Sequence, residues 1–510
     1  MKRNKFTLSN YRLFTCDMGE LIPVGLTEAL PGDTFQLASS ALVRVSPLAA
    51  PVMHPVTVRL HHFFVPHRLV WDGWEDFITG GPDGMDASSP PTETTPAGNG
   101  GGAIEGTLWD YLGVHGLATS CALNAMPLYG INKIWNEYYR DQDLATERLE
   151  DDITIPNIAW GKDYFTTARP WTQKGPEVTL PLGTQAPVVG IGTDSAAFNY
   201  NLANVTTVRE TNSSVDGNPD TTTYPFAALM SSTSPSQAAY IRGTNSGTGR
   251  KPMIFADLSA AGAININDFR RAFALQRYQE ARARYGSRYT EYLRYLGVTP
   301  SDARLQRPEY LGGGTTRLNF SEVLQTAQDE PVGDRDSFGV GDLYGHGVAG
   351  VRHRRIRRFI EEHGYIHSFM SVRPKGIYMQ GINRTFLKTT KEDFWQKELQ
   401  HIGQQAVWDG EILLPTGGGA PMTQTFGFSD RYEEYRTTPS YVAGEFRNTL
   451  DYWHMGRDLV GPIALNEDFI KCVPTKRVLN VQTTDALWCM VNNHVVARRM
   501  VSREASNSIL

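Results

Sequence analysis

The sequence predicts a mainly β chain whose helices are confined to the connections between strands. Three observations carry this. In VTVRLHHFFVP a period of two places Val56, Val58, Leu60, His62 and Phe64 on one face. Gly 48 and Pro 29 exceed a helical chain's needs and supply many turns. No fixed repeat points to a solenoid or propeller.

Taken in order, LIPVGLTEALPGDTFQLASSALVRVSP from Leu21 alternates apolar and polar residues around Pro and Gly, and reads as strand, turn, strand. Residues 79–106 form a Gly/Pro/Thr loop. In YGINKIWNEYYRDQDL, Ile131, Ile134, Trp135 and Tyr138 make one helical stripe. Residues 156–182 are Pro-interrupted and anchored by Tyr164, Phe165 and Trp171. Residues 183–252 shift to Ser, Thr, Asn, Gly and Ala with very few Lys or Glu, the composition of an inserted, outward-facing subdomain. A helix capped by Asn267 and Asp268 ends near Gly286. A second, capped by Ser287, carries Tyr289, Tyr292, Leu293 and Leu296 and stops at Gly297 and Pro300. Beyond Gly333 the pattern returns to strand and loop, with a short helix near DFWQKELQH.

Composition narrows the function. Hydrophobic residues at 40% and charged residues at 20% suit a globular core. A net charge of -5 excludes a chain that coats nucleic acid with its whole surface; any such contact needs one patch. Cys16, Cys121, Cys472 and Cys489 are scattered, which removes disulfide-framework and zinc-finger readings. No run approaches the roughly 20 apolar residues of a membrane span, and no apolar core follows the basic N-terminus, so no membrane insertion is expected.

Catalytic and metal motifs are missing. The glycine runs lack a following Lys-Ser/Thr, and there is no GxSxG or HExxH. His363 and His367 on a strand would stand roughly 13 Å apart, too far to share an ion. Adjacent His61 and His62 would point to opposite faces. No enzyme activity, metal or cofactor is expected.

What stands out is VRHRRIRRF, with five arginines in seven residues: Arg352, Arg354, Arg355, Arg357 and Arg358. As a continuous strand it would put Arg352, Arg354 and Arg358 on one side and Arg355 and Arg357 on the other. Guanidinium forks suit phosphates, and subunit salt bridges or a solvated loop are equal alternatives. The helix over 268–294 carries a further set of arginines and reads as solvated or interface-lining.

Several stretches together resemble the major capsid proteins of microviruses, most closely the gokushovirus-like branch. They are EALPGDTF, FFVPHRLVWDGWEDF, IWNEYYRDQDL, RAFALQRYQEARARYGSRYTEYL, ARLQRPEYLGGG, EEHGYIHSFMSVRP and FGFSDRYEEYRTTPSYVAGEFR, in the family's order. The resemblance implies an eight-stranded antiparallel jelly roll of viral capsid type, with long loop insertions carrying short helices. Residues 1–182 and 253–510 would form a discontinuous jelly-roll domain, and 183–252 a surface insertion and candidate protrusion at the three-fold axes.

It further implies a virion protein assembled in the host bacterial cytoplasm. Copies would form pentamers and a T=1 shell of sixty around circular single-stranded DNA. The implied partners are a small basic DNA-packaging protein, an internal scaffolding protein, a DNA pilot protein and a host cell-surface receptor. Aromatic loops suit subunit contacts, which singles out Phe63, Phe64, Trp71, Trp74 and Trp171. Neither the arginine cluster nor the ending VVARRMVSREASNSIL matches a family motif, so their roles rest on charge. The competing reading is a phage host-surface or carbohydrate-binding protein with 183–252 as its binding lobe.

Overall fold

The computed structural model describes residues 3–95, 106–114, 120–178, 266–324, 326, 343–414 and 422–503, and the backbone of six short strands between 188 and 256. The chain divides into two units, Met1–Lys174 with Glu280–Leu510, and Gly175–Gln279. In the second, Pro219–Pro225, Val205–Thr211, Gln237–Ile241 and Ile191–Thr193 form a four-stranded sheet in that order. The rest of the predicted 183–252 insertion lies largely outside the described residues.

The first unit is built on ten strands: β1 (Asn4–Thr7), β2 (Asn10–Cys16), β3 (Leu21–Ala29), β4 (Thr34–Val45), β5 (Val56–Pro66), β6 (Glu309–Leu324), β7 (Leu343–Arg352), β8 (Ile356–Phe359), β9 (Gly364–Pro374) and β10 (Leu487–Arg499). They form one curled antiparallel sheet in the order β1–β10–β4–β7–β6–β5–β9–β3, with β2 on β10 and β8 on β4. The pairing is that of a rolled hairpin. First meets last (β1 and β2 with β10), β3 meets β9, β4 meets β7 and β8, and β5 meets β6. This is the jelly-roll connectivity. Two long excursions, residues 67–308 and 375–486, leave the roll between β5 and β6 and between β9 and β10. Loop-closure entropy grows only slowly with length, so the roll tolerates them.

Strand β4 shows why the sequence folds this way. Phe35, Leu37, Ser39, Ala41, Val43 and Val45 are buried, while the alternate residues face outward. Inward residues of all the strands fill the roll in layers. One apolar layer holds Val24, Ala41, Leu60, Val351, Met370 and Val491. Another holds Ala29, Leu37, Phe64, Ile366 and Val495. Between them lies a polar layer of Ser39, His62, His353, Ser368 and Asn493, all buried. Asn493 Nδ2 donates to the Val24 carbonyl at 2.8 Å, and Ser39 Oγ donates to Asn493 Oδ1 at 2.8 Å. β3 ends the sheet order and β10 lies one strand in from its other end, so this bond draws the two far sides of the sheet together.

Outside the roll, helix α1 (Met126–Tyr138) covers β3, β9 and β5. Its buried Met126, Leu128, Ile131, Ile134 and Trp135 pack on the outward-facing Leu21, Phe63, Val65 and Phe369. Two local expectations fail. Residues near 393–401 form turns, because the Asp393 carboxylate accepts from the Thr389 and Thr390 amides and the Thr390 hydroxyl, which competes with helix. The helix Tyr289–Tyr295 is capped at Arg288 instead of Ser287, whose hydroxyl turns to Asp143 and Lys174.

Candidate nucleic-acid surface

The arginine segment is not one continuous strand. β7 ends at Arg352, opposite Ser40, and β8 begins at Ile356, opposite Leu37. Four residues of advance on one strand therefore face three on β4, a one-residue bulge over 353–355. The cause is His353. Its ring turns into the polar layer, where Nε2 accepts from the Ser39 amide at 2.8 Å and Nδ1 bonds the Arg354 carbonyl at 2.7 Å. The extra residue reverses the alternation. Arg357, opposite Gln36, stands on the same outer face as Arg352, opposite Ser40, instead of on the opposite side as continuous alternation predicts.

Arg354 and Arg355 are exposed on the bulge. Arg358 falls at the end of the roll, where it reaches Glu309 at 2.5 Å with half of its side chain still in solvent. Among the described residues, Arg352, Arg354, Arg355 and Arg357 are exposed and make no ion pair. Four uncompensated guanidiniums concentrate positive potential here.

Lys5, Arg44 and Arg498 extend this surface over β1, β4 and β10; of the three, sequence reasoning had weighed only Arg498, for its charge, within the ending VVARRMVSREASNSIL. Their signal was legible: β1, β2, β4, β7, β8 and β10 contain no Asp or Glu, in a chain with 54.

The aromatic candidates separate. Phe63 and Phe64 are 2% and 3% exposed and fill the packing of their own chain. Trp71 and Trp74 are half-buried, with ring centroids 6.3 Å apart. Trp171 is half-buried under Lys174, whose Nζ lies 5.4 Å from the ring centroid. Among the described residues no three His, Cys, Asp or Glu side chains are grouped to hold a metal, and no helix is long and apolar enough to cross a membrane.

A family model described as capsid protein (F protein) matches residues 1–507. The chain is 33% identical over 506 residues to capsid protein VP1 of Bdellovibrio phage phiMH2K, covering 95% of this chain and 90% of that protein. It is 30% identical to capsid protein VP1 of Chlamydia phage 1, covering 96% and 92%. It is 29% identical to capsid protein VP1 of Spiroplasma virus 4, covering 92% and 87%. These relatives do not favour the carbohydrate-binding alternative. The chain belongs to the capsid protein (F protein) family, in its gokushovirus-like branch, and is a structural major capsid protein of a phage virion, not an enzyme.

Proposed function

We propose that sixty copies of this chain, through pentamers, close into a T=1 icosahedral shell around circular single-stranded DNA, with the arginine segment turned toward that DNA. The observation that carries the reading is the bulge over 353–355. It gathers exposed, unpaired guanidiniums in a chain of net charge -5. Guanidinium forks bind phosphate oxygens without regard to base sequence. The cluster is too small to neutralise a genome, so a small basic packaging protein shares that task. Scaffolding and pilot proteins join during assembly. Residues 183–252 form the protrusion at the three-fold axes and meet the host receptor.

The test replaces Arg354, Arg355, Arg357 and Arg358 with Ala and measures DNA retained per purified particle. Closed shells with less DNA support the reading. Shells that fail to close make the segment a clasp between subunits and overturn it.

A further inference from the structure

We propose that the outer face of β2, β10, β4 and β7 is a binding platform for single-stranded nucleic acid. Bases stack on Trp488 and Tyr11, and phosphates pair with Arg44, Arg352 and Arg498. This rests on the reading of the chain as a shell around single-stranded DNA, and it carries the contact from Arg352 across to β2, β4 and β10, strands distant in sequence from the arginine segment.

The two outer faces of the roll are treated differently. Over β3, β9 and β5 the face is sealed by α1. Over β2, β10 and β4 large apolar side chains stand in solvent. Tyr11 and Leu13 are each 70% exposed, Trp488 48% and Met490 42%. Strands do not leave such a row uncovered without a reason.

Strand register arranges these residues into rows. Tyr11, Asn492, Ser40 and Arg352 lie side by side across four strands. The next row is Leu13, Met490, Leu42 and Gly350. The one after it is Thr15, Trp488, Arg44 and Val348. Neighbouring strands are about 4.8 Å apart and same-face rows about 6.8 Å. Each ring thus has a cation or an amide within reach of a nucleotide lying on it. Further along, Lys5 and Arg498 face out from a paired position, as does Arg357 opposite Gln36.

Charge selects the occupant. None of the six strands in this layer holds an Asp or Glu, and Lys5, Arg44, Arg352, Arg357 and Arg498 make no ion pair among the described residues. Carboxylates stand at its margin: Asp485, before β10, accepts from the Thr15 hydroxyl at 2.5 Å, and Asp17, after β2, pairs with Lys476 at 2.7 Å. An acid-free, cationic face complements a polyanion. Exposed rings further select unpaired bases, because a duplex hides its π-faces within its own stack. Among the described residues no loop or helix rises from the face to enter a groove, and it offers Arg, Asn and Ser among the rings, a mixture that tolerates any base.

The experiment measures binding of a fluorescent oligothymidylate, and of a duplex of equal length, to the purified full-length chain. Trp488→Ala and Tyr11→Ala should each weaken oligothymidylate binding about tenfold, the loss of one base stacked on a ring. Trp488→Phe should restore most of the loss. Arg44→Ala should lower the salt dependence for both probes. The proposal is overturned if the two ring variants bind like wild type, or if the duplex binds as tightly as the single strand. It also falls if Trp488→Ala abolishes particle formation with oligothymidylate binding intact, which would mean a second copy of the chain covers the face. If alanines at Arg354 and Arg355 lower particle DNA while the ring variants do nothing, the shell reading stands and the platform does not.

Discussion

Nε2 of His62 lies 2.8 Å from Nε2 of His353 inside the roll, joining β5 to the bulge after β7. Their partners fix the protons. Ser39 donates its amide to His353 Nε2, so that nitrogen is an acceptor and the His353 proton sits on Nδ1, against the Arg354 carbonyl. His62 must then donate from Nε2, and its Nδ1 accepts from Ser368 Oγ at 2.7 Å. Ser39 continues the chain through Asn493 to Val24. His62 is neutral in this arrangement, since protonation would remove the lone pair that accepts from Ser368.

His62→Leu removes the donor to His353 and strands the Ser368 hydroxyl. His353→Leu does the same to the Ser39 amide. Each should cost about 2–4 kcal/mol, the sum of one or two unsatisfied buried groups. The double variant should be less destabilised than the two losses added, by about 1 kcal/mol or more, because the rings share a bond. Urea unfolding of the unassembled chain measures all three.

Stability should fall as pH drops from about 6.5 toward 4. Burial is the leading cause that lowers the pKa of His62 and His367 to about 3, and that of His54, His61 and His67 to about 4. Unfolded histidine titrates near 6.5, so in this window the unfolded chain binds more protons than the native one. Each such histidine contributes a slope of about 1.4 kcal/mol per pH unit. Glu20 works in the other direction. Burial raises its pKa to about 7, so its contribution is present below about 4.5 and is lost as pH rises through 7. Unfolding curves across this range should steepen on the acid side, and His62→Leu should flatten them by one proton.

Gly130→Ala should destabilise the chain although alanine is the better helix former. A Cβ at this site in α1 would sit 2.6 Å from His367 Nε2, and the His367 ring is fully buried and flanked by Phe369 at a 6.2 Å centroid separation. The helical gain is about 1 kcal/mol. Overpacking costs about 1–3 kcal/mol. A lowered thermal midpoint is expected, and an unchanged or raised one would show that His367 can move away.

Arg384 is the buried cation whose removal should cost most. It donates to Glu411 at 2.9 Å and to the Ala406 carbonyl at 2.7 Å, and its guanidinium stacks 4.4 Å from the Trp408 ring centroid. The two side chains of the pair are 7% and 3% exposed. Arg384→Met leaves Glu411 buried without its main partner, at a cost of about 3–5 kcal/mol. Arg384→Lys should recover only part of this, since an ammonium neither stacks nor forks. Protease sensitivity of the 375–486 excursion gives a local readout.

The alternation of side chains along β4 and β5, the stripe Ile131, Ile134, Trp135 on α1 and the missing catalytic motifs could all be read from neighbouring residues. Periodicity is a property of the local backbone, so a sequence displays it directly. It also displayed the acid-free strands, although their meaning needed a shared face. Tertiary structure decided the rest. It paired β2 with β10 from opposite ends of the chain, buried Phe63 and Phe64, turned His353 inward and so placed Arg352 and Arg357 on the same face. Those outcomes depend on which distant strand lies alongside and in what register, and a one-residue bulge is enough to reverse which face a side chain occupies.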